Sequence, residues 1–587
     1  MKKIRLIRLF IATSLLVLSS CEDNFDPKIF GTLNPDNFPS TETEYKDYAL
    51  ACYIPFTTTW TYYIGTELRQ HGFYIPEGGI LRMFESPSDN VAVWGTGWGE
   101  WLKFSQANFN NCIYYERSWV SEDNINHIPK LAQITRFTEI ISTLEKADEN
   151  IFHTISKKQL LGEVHLCRGL MIYYLMHIYG PLPAVTRGED VTNDEVLNNL
   201  VRPSLEEMTS WIYSDFEFAI ENLPETVEER GRYTSDYARF CMMKHCLNEG
   251  EHMPQYYQKA LEMYQELEAT HRYKLFKEGD NPYVDMYKAK NDFNCEIIMA
   301  LSCDPSADGG DNSGNFFPLS MLTTPNDASK VDINGNPTPF YYQGKGWAQF
   351  YNVSPKLYDS YDSKDKRRAV ILNEYWVDNG TGEVTTKRTK EDLGIRWDGY
   401  IINKFPIETN TVFQGNDFPL ARWADVLLMI AEAEVRKSNA APSAEAVSAV
   451  NEVRNRAGLN NLSTQQTNSK ETFLDAILEE RAKEFLYEGQ RKIDLIRFNK
   501  YAQLCRKTKG VLPTHQYVPL PNYFVEQAKE AVACIRQNLD ATHLGQKAVV
   551  MGAGCIGLVS LMALKARGVS EVYVVDIMDK RLEKAME

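Results

Sequence analysis

Apolar residues recur at helical spacing through the first half of the chain. From Ser204 to Pro224, Leu205, Met208, Ile212, Phe216, Ala219, Ile220 and Leu223 fall on one side of a 3.6-residue period. Ser204 suits the N-cap, Glu207 three residues on suits a capping box, and Pro224 ends the helix. Leu160–Tyr179 is apolar nearly all round, which predicts a helix buried on every side. Thr234–Asn248 and Gln255–Thr270 predict a helix pair across a turn containing Gly250 and Pro254. Near residue 300 the pattern changes. Asp304–Asn315 is rich in Gly, Asp, Ser and Asn, and Asn334-Gly335-Asn336-Pro337 and Asp378-Asn379-Gly380 are turn signals. Helical periodicity returns at Arg422–Lys437, Ser443–Ala457 and Glu471–Glu488. The expected fold is mostly α: a tetratricopeptide-like scaffold of helix pairs, irregular in period, helical over 40–290 and 421–500. It carries a loop-rich, partly β insert over 300–420, and long loops on such a frame are where binding residues gather.

The chain opens differently. Lys2, Lys3, Arg5 and Arg8 precede Leu9-Phe10-Ile11-Ala12 and Leu15-Leu16-Val17-Leu18. That apolar core is shorter than the roughly 20 residues needed to cross a bilayer. Residues 1–20 therefore read as a signal peptide rather than a membrane anchor. Leu18-Ser19-Ser20-Cys21 resembles a bacterial lipobox, which implies acylation of Cys21 as the mature N-terminus. Glu22, Asp23 and Asp26 follow in a polar stretch suited to a tether. The resemblance to lipoproteins of the Bacteroidetes makes this acidic stretch similar to a surface-export tag.

Composition narrows the function classes. The 587 residues, 43% of them hydrophobic, suffice for a large core. The formal charge of −16 becomes −20 once the four positive residues of the signal are gone. Nucleic acid, which calls for a basic face, is excluded as a partner, and acidic polysaccharides are disfavoured. Ten cysteines beyond Cys21 are scattered, with no CxxC pair and no zinc-type spacing. They read as buried thiols, and for Cys295 and Cys303 a bridge stays open as an alternative. No HExxH and no GxSxG occur, so no catalytic residue and no metal ligand is assigned.

Three segments carry a family resemblance. Gly162-Glu163-Val164-His165-Leu166-Cys167-Arg168-Gly169-Leu170 runs on to Tyr179-Gly180-Pro181-Leu182-Pro183. Arg422-Trp423-Ala424-Asp425-Val426-Leu427-Leu428-Met429-Ile430-Ala431-Glu432-Ala433 is the second, and Glu480-Arg481-Ala482-Lys483-Glu484-Phe485 through Glu488-Gly489-Gln490-Arg491 to Arg497 the third. Together with Ser88-Asp89, Val453–Leu459 and Val518-Pro519-Leu520-Pro521, they resemble the SusD/RagB family of nutrient-binding outer-membrane lipoproteins over residues 21–540. Val164-His165-Leu166 departs from that family's alanine-rich start, and His165 reads as a packed histidine. The resemblance implies a cell-surface protein of the outer membrane that binds oligosaccharides without altering them and hands them to a TonB-dependent porin. It implies no cofactor. A peptide-binding RagB-like role is the alternative, and a surface glycan-active enzyme a more distant one.

Aromatic segments are the candidate platform for a sugar. Trp94-Gly95-Thr96-Gly97-Trp98 follows Asp89, and Phe340-Tyr341-Tyr342 with Trp347 lies in the loop-rich region. Asp89, Trp94, Trp98, Tyr342 and Trp347 are the candidate ligand-binding residues, with Arg82 a further hydroxyl partner. Both indoles and both Tyr342 and Trp347 also admit a core role, because large aromatics are usually at least partly buried. Glu480, Arg481, Glu488, Arg491, Asp494 and Arg497 read as ion pairs locking helices, since arginine neighbours keep carboxylates ionised and poor as acids.

Residues 541–587 look foreign to this scaffold. Lys547–Met551 reads as a strand, Gly552-Ala553-Gly554-Cys555-Ile556-Gly557 is GxGxxG, and a helix and a second strand end at Asp576. The segment resembles the NAD-binding start of sorbitol-type medium-chain dehydrogenases, which gives Gly552, Gly554, Gly557 and Asp576 as a cofactor-binding remnant. An incomplete Rossmann βαβ piece cannot cover both faces of a parallel sheet, so a working cofactor site is not expected.

Overall fold

The computed structural model describes residues 38–109, 127–303, 322–342 and 351–520, with the strands 547–551 and 571–575. Short stretches at 58–61, 65–67, 71, 77, 94–98, 198–199, 379, 381–383, 390, 393–398 and 409–414 fall outside that description. Cys21, Trp94, Trp98, Trp347, Gly552, Gly554, Gly557 and Asp576 therefore lie outside the described residues.

The scaffold is a run of helices, each packed on the next. Leu131–Lys146, Lys157–Tyr179, Leu205–Asn222, Ser235–Glu249 and Tyr256–Ala269 follow one another in contact. Tyr256–Ala269 then packs on Trp423–Ser438, which packs on Ala444–Arg456 and Lys470–Glu484. The short connection between Ser235–Glu249 and Tyr256–Ala269 suits antiparallel pairing of those two helices. Among the described residues no helix is long and apolar enough to cross a membrane.

The Ser204 cap forms, without the reciprocal Glu207 side-chain bond of a full capping box. The Ser204 hydroxyl accepts from the Glu207 amide at 3.0 Å, and the helix runs Leu205–Asn222 with Leu223 as its cap. Lys157–Tyr179 buries 17 of its 23 residues and forms the centre of the core. His165 on that helix stacks on Phe218 with ring centroids 4.0 Å apart, and Asp215 holds its Nδ1 at 2.7 Å. The expected helix Glu471–Glu488 stops at Glu484 instead. Tyr487 and Gly489 adopt φ of 60° and 75°, and this left-handed kink separates the helix from Arg491–Arg497.

The insert is closed off at its root. Strand Ile297–Leu301 enters it and Phe418–Arg422 leaves it, and the two pair antiparallel. The Trp423 amide donates to the Glu296 carbonyl at 2.9 Å, so the next helix begins where the ladder ends. Inside the insert, Tyr400–Ile402 is the middle of a three-stranded sheet with Asn352–Val353 and Ile371–Leu372, and Tyr375–Asp378 pairs with Val384–Arg388 as a hairpin. Cys295 and Cys303 flank the extended strand, which alone spans on the order of 13 Å, too far for a disulfide. Both are free thiols.

Buried ion pairs bind the root together. Arg422 donates to Glu296 at 2.6 Å, to Glu484 at 3.1 Å and to both oxygens of Glu488. Arg367 reaches Glu480 at 2.7 Å and Glu484 at 3.1 Å, and Arg456 reaches Glu296 at 3.0 Å and Glu484. Burial pushes the Glu484 carboxyl upward, but Arg456, Arg422 and Arg367 outweigh it and hold the group well below the usual carboxylate range. Arg481 ties Asp425 at 2.7 Å to Asp494 at 2.9 Å, and Arg497 ties Glu432 to Asp494. The charged motif residues therefore lock helices, as their sequence pattern suggests.

Candidate functional site

The backbone flanking the two aromatic segments converges. Val91 pairs with Val353 in an antiparallel bridge. The Ala92 amide donates to the Asn352 carbonyl at 2.9 Å and the Ser354 amide to the Asn90 carbonyl at 2.8 Å. The chain departs toward Trp94 two residues past Ala92 and arrives from Trp347 four residues before Tyr351. Strand Tyr400–Ile402 closes on the far side of Asn352–Val353, and Gly399 permits that approach. A Cβ there would lie 2.2 Å from the Val353 carbonyl oxygen.

Two anchors hold the bridge. Asp89 is buried, and Arg491 donates to its two oxygens from Nε at 2.8 Å and Nη2 at 2.9 Å. Tyr351 donates its hydroxyl to the Pro76 carbonyl and meets Tyr487 edge-on at 5.7 Å. The Asp89 carboxylate thus positions the turn that leads to Trp94. Arg82 is also buried, in a single π turn, with its guanidinium 5.6 Å from the centre of the Phe104 ring.

Beside this sheet lies a described aromatic surface. Tyr341 and Tyr342 stand 47% and 39% exposed, ring centroids 5.4 Å apart and nearly perpendicular. Phe340, which the sequence grouped with them, is 2% exposed and serves as the plug that seats the loop. The loop is stiffened from within: Val331 bridges to Pro337, and Asp332 accepts the Asn334 and Asn336 amides at 2.8 Å. It is fastened to the hairpin by the Ser329 amide on the Trp376 carbonyl at 2.8 Å and the Asp378 amide on the Asp327 carbonyl at 2.7 Å.

Loop and hairpin enclose an open hollow of about 340 Å³. Its lining includes Asp332, Pro339, Phe340, Glu374, Trp376 and Lys387. The volume falls at the low end of the range for small-ligand sites, about 300–1,000 Å³. The Lys387 ammonium lies 5.6 Å from the centre of the Trp376 ring and pairs with Glu374. The Asn336 side chain and amide hold the Asp332 carboxyl below its ordinary value, so this rim acid is an acceptor and not a proton donor. Apolar ring faces beside fixed polar groups suit reversible capture of a ring-shaped polar molecule. Among the described residues no cluster of His, Cys, Asp and Glu is arranged to hold a metal ion.

Of the sequence candidates, Tyr342 is at this surface and Asp89 is under the neighbouring bridge. Trp376, Glu374 and Lys387 were not anticipated. The sequence carries only the Asp378-Asn379-Gly380 turn that marks a hairpin; that Trp376 is on its less buried side is a finding of the structure. Strands Lys547–Met551 and Glu571–Val575 pair parallel in register, as the first two strands of a βαβ unit do.

Comparison with known proteins agrees with this architecture. Residues 98–239 match the family described as "Starch-binding associating with outer membrane", and residues 295–519 match the family described as "SusD family". SusD-like protein P38 of Formosa agariphila is 25% identical over 379 residues, 62% of this chain and 71% of that protein. A laminarin binding SusD-like protein of known structure superposes with a TM-score of 0.61 at 21% identity, covering 82% of this chain and 97% of that one. Surface glycan-binding protein A from Bacteroides thetaiotaomicron, solved in complex with laminarihexaose, superposes with a TM-score of 0.61 at 18% identity over 84% of this chain and 98% of its own. The tail is a separate match: 44 residues are 57% identical to bovine sorbitol dehydrogenase, only 12% of that enzyme. Two family models in sequence order, on a helical frame shared with solved relatives, place the chain in the SusD family, associated with the outer membrane.

Proposed function

We propose that this chain is a cell-surface lipoprotein that captures oligosaccharides and passes them to a TonB-dependent outer-membrane porin. In this reading residues 1–20 direct export, Cys21 carries the lipid, residues 21–540 form the binding unit, and residues 541–587 take no part. The observation that carries it is the exposed Tyr341–Tyr342 pair beside the Trp376 hollow, on an insert whose root is locked by buried ion pairs. Rigid aromatic faces meet the apolar C–H patches of sugar rings, and preorganisation of the loop limits the entropy lost on binding. The relatives named for laminarin, laminarihexaose and surface glycans support the same ligand class for this chain.

The test is affinity electrophoresis and calorimetry of the purified chain against neutral polysaccharides, laminarin among them, with peptides as the comparison. Saturable glycan binding without hydrolysis is expected. Absence of binding to every glycan, with saturable peptide binding, would transfer the protein to the peptide-uptake branch. Handover is tested by co-purification from detergent-solubilised outer membranes, where a β-barrel transporter is expected in the complex.

A further inference from the structure

Among the described residues, three charged side chains line the hollow between the loop and the hairpin: Asp332, Glu374 and Lys387. Lys387 stands opposite Trp376 in the hairpin register, and its ammonium lies 5.6 Å from the centre of that ring and pairs with Glu374. The cation is therefore spent within the wall. Arg388, the next residue, is outside the lining and turns to Asp327 at 2.9 Å. Asp332 is held by neutral groups: its Oδ1 accepts the Asn334 and Asn336 amides at 2.8 Å, and its Oδ2 accepts the Asn336 side-chain amide at 3.0 Å. These bonds fix the carboxylate and leave its charge uncancelled. Two carboxylates against one ammonium give the wall a net charge of −1. Other polar protons here are committed. The Thr338 hydroxyl donates to the Ser329 carbonyl at 2.6 Å, and the Tyr375 hydroxyl to Asp327 at 3.0 Å. The wall thus sets accepting oxygens, each with room for a further hydrogen bond, beside an indole.

We propose that this hollow sorts glycans by charge: it admits neutral sugar rings and turns away rings that carry uronate or sulfate groups. The inference rests on the glycan-binding reading and adds the class of glycan. Hydroxyls of a neutral ring donate to Asp332 while the ring lies against Trp376. An anionic substituent brings acceptors to a wall that needs donors, and its charge meets the uncancelled Asp332 carboxylate at short range. That repulsion is expected to lower affinity about tenfold at low salt, and less as added salt screens it. Asp332 is thus the residue that excludes, and Glu374 assists by keeping the Lys387 ammonium occupied. Replacing Asp332 by asparagine makes the wall neutral, and replacing Glu374 by glutamine as well leaves Lys387 as its one charge.

The full chain is titrated by calorimetry at low salt with a panel of neutral oligosaccharides, laminarin fragments among them, and with the same oligosaccharides oxidised at C6 to uronates. Wild type is compared with D332N, whose remaining amide oxygen still serves the loop amides, and with D332N/E374Q. Wild type is expected to prefer the neutral form about tenfold. D332N is expected to narrow that preference, and the double variant to lose or reverse it. Wild type that binds the oxidised form as tightly as the neutral one overturns the charge sorting and leaves the glycan-binding reading in place. A preference undiminished in the double variant overturns it too, because the discrimination then arises elsewhere. If no member of either set binds, the glycan-binding reading falls and this inference with it. Should D332N fail to fold, E374Q alone decides: it is expected to narrow the preference, and an unchanged preference refutes the proposal.

Discussion

Arg491 grips Asp89 through two parallel hydrogen bonds of 2.8 and 2.9 Å, joining positions 402 residues apart in the sequence. The same guanidinium donates to the Leu478 carbonyl at 2.8 Å, so one side chain ties the Asp89 turn to two helical segments of the C-terminal scaffold. The sequence suggested Asp89 as a sugar ligand. Its described role is to aim the Val91–Val353 bridge from which the tryptophan segment departs.

Asp89→Asn leaves a buried guanidinium without its counter-charge. Such a loss costs about 3–5 kcal/mol, and urea unfolding followed by circular dichroism is expected to show it. Arg491→Lys keeps the charge but not the fork, and a smaller loss of about 1–3 kcal/mol is expected. Equal stability of all three proteins would refute the anchoring role.

Replacing Tyr341 and Tyr342 together by alanine removes exposed ring faces without touching the core. Glycan affinity is expected to fall about tenfold, equivalent to about 1.4 kcal/mol, with the melting temperature unchanged. Trp376→Ala is expected to weaken the same ligand. Calorimetry that finds wild-type affinity in both variants would remove this surface from the binding site.

Lys492 is buried between the Phe109 and Tyr501 rings, and its ammonium has no hydrogen-bond partner among the described residues. Burial pulls its pKa down to about 7 from an ordinary 10.5. The unfolded chain therefore binds the extra proton between those two values, and stability from this group rises with pH across that window. Below pH 7 the penalty is fully present. Lys492→Met is expected to stabilise the protein at or below pH 7 by on the order of 1–3 kcal/mol. The gain is expected to shrink as pH rises toward 10.5, as thermal unfolding of both proteins at several pH values will reveal.

A chain ending at residue 540 is expected to bind glycan and to melt as the full chain does. The described part of the tail is two parallel strands paired only with each other. Lost affinity in a folded truncation would give the tail a role.

The helices were legible because their apolar period and caps are local. Ser204 and the breadth of the apolar surface on Leu160–Tyr179 mark them without knowledge of neighbours. The break after Glu484 was not legible, because Glu488 is drawn inward by Arg422 and Lys404, which lie distant in sequence. Tyr342 was recognisable as an aromatic in a loop. Phe340 was not separable from it, since which ring plugs the loop depends on what lies beneath. Trp376 was missed because a hollow between a loop and a hairpin is a tertiary property.

Glu484 accepts hydrogen bonds from Arg367, Arg422 and Arg456, residues drawn from the interior of the insert, its exit strand and the second helix after it, Ala444–Arg456. No two of these regions satisfy the cluster without the third, and the carboxylate itself comes after all of them in the chain. The cluster is thus completed by a carboxylate that follows its three arginine partners in the chain, and it joins the insert, its exit strand and the helical frame at a single point.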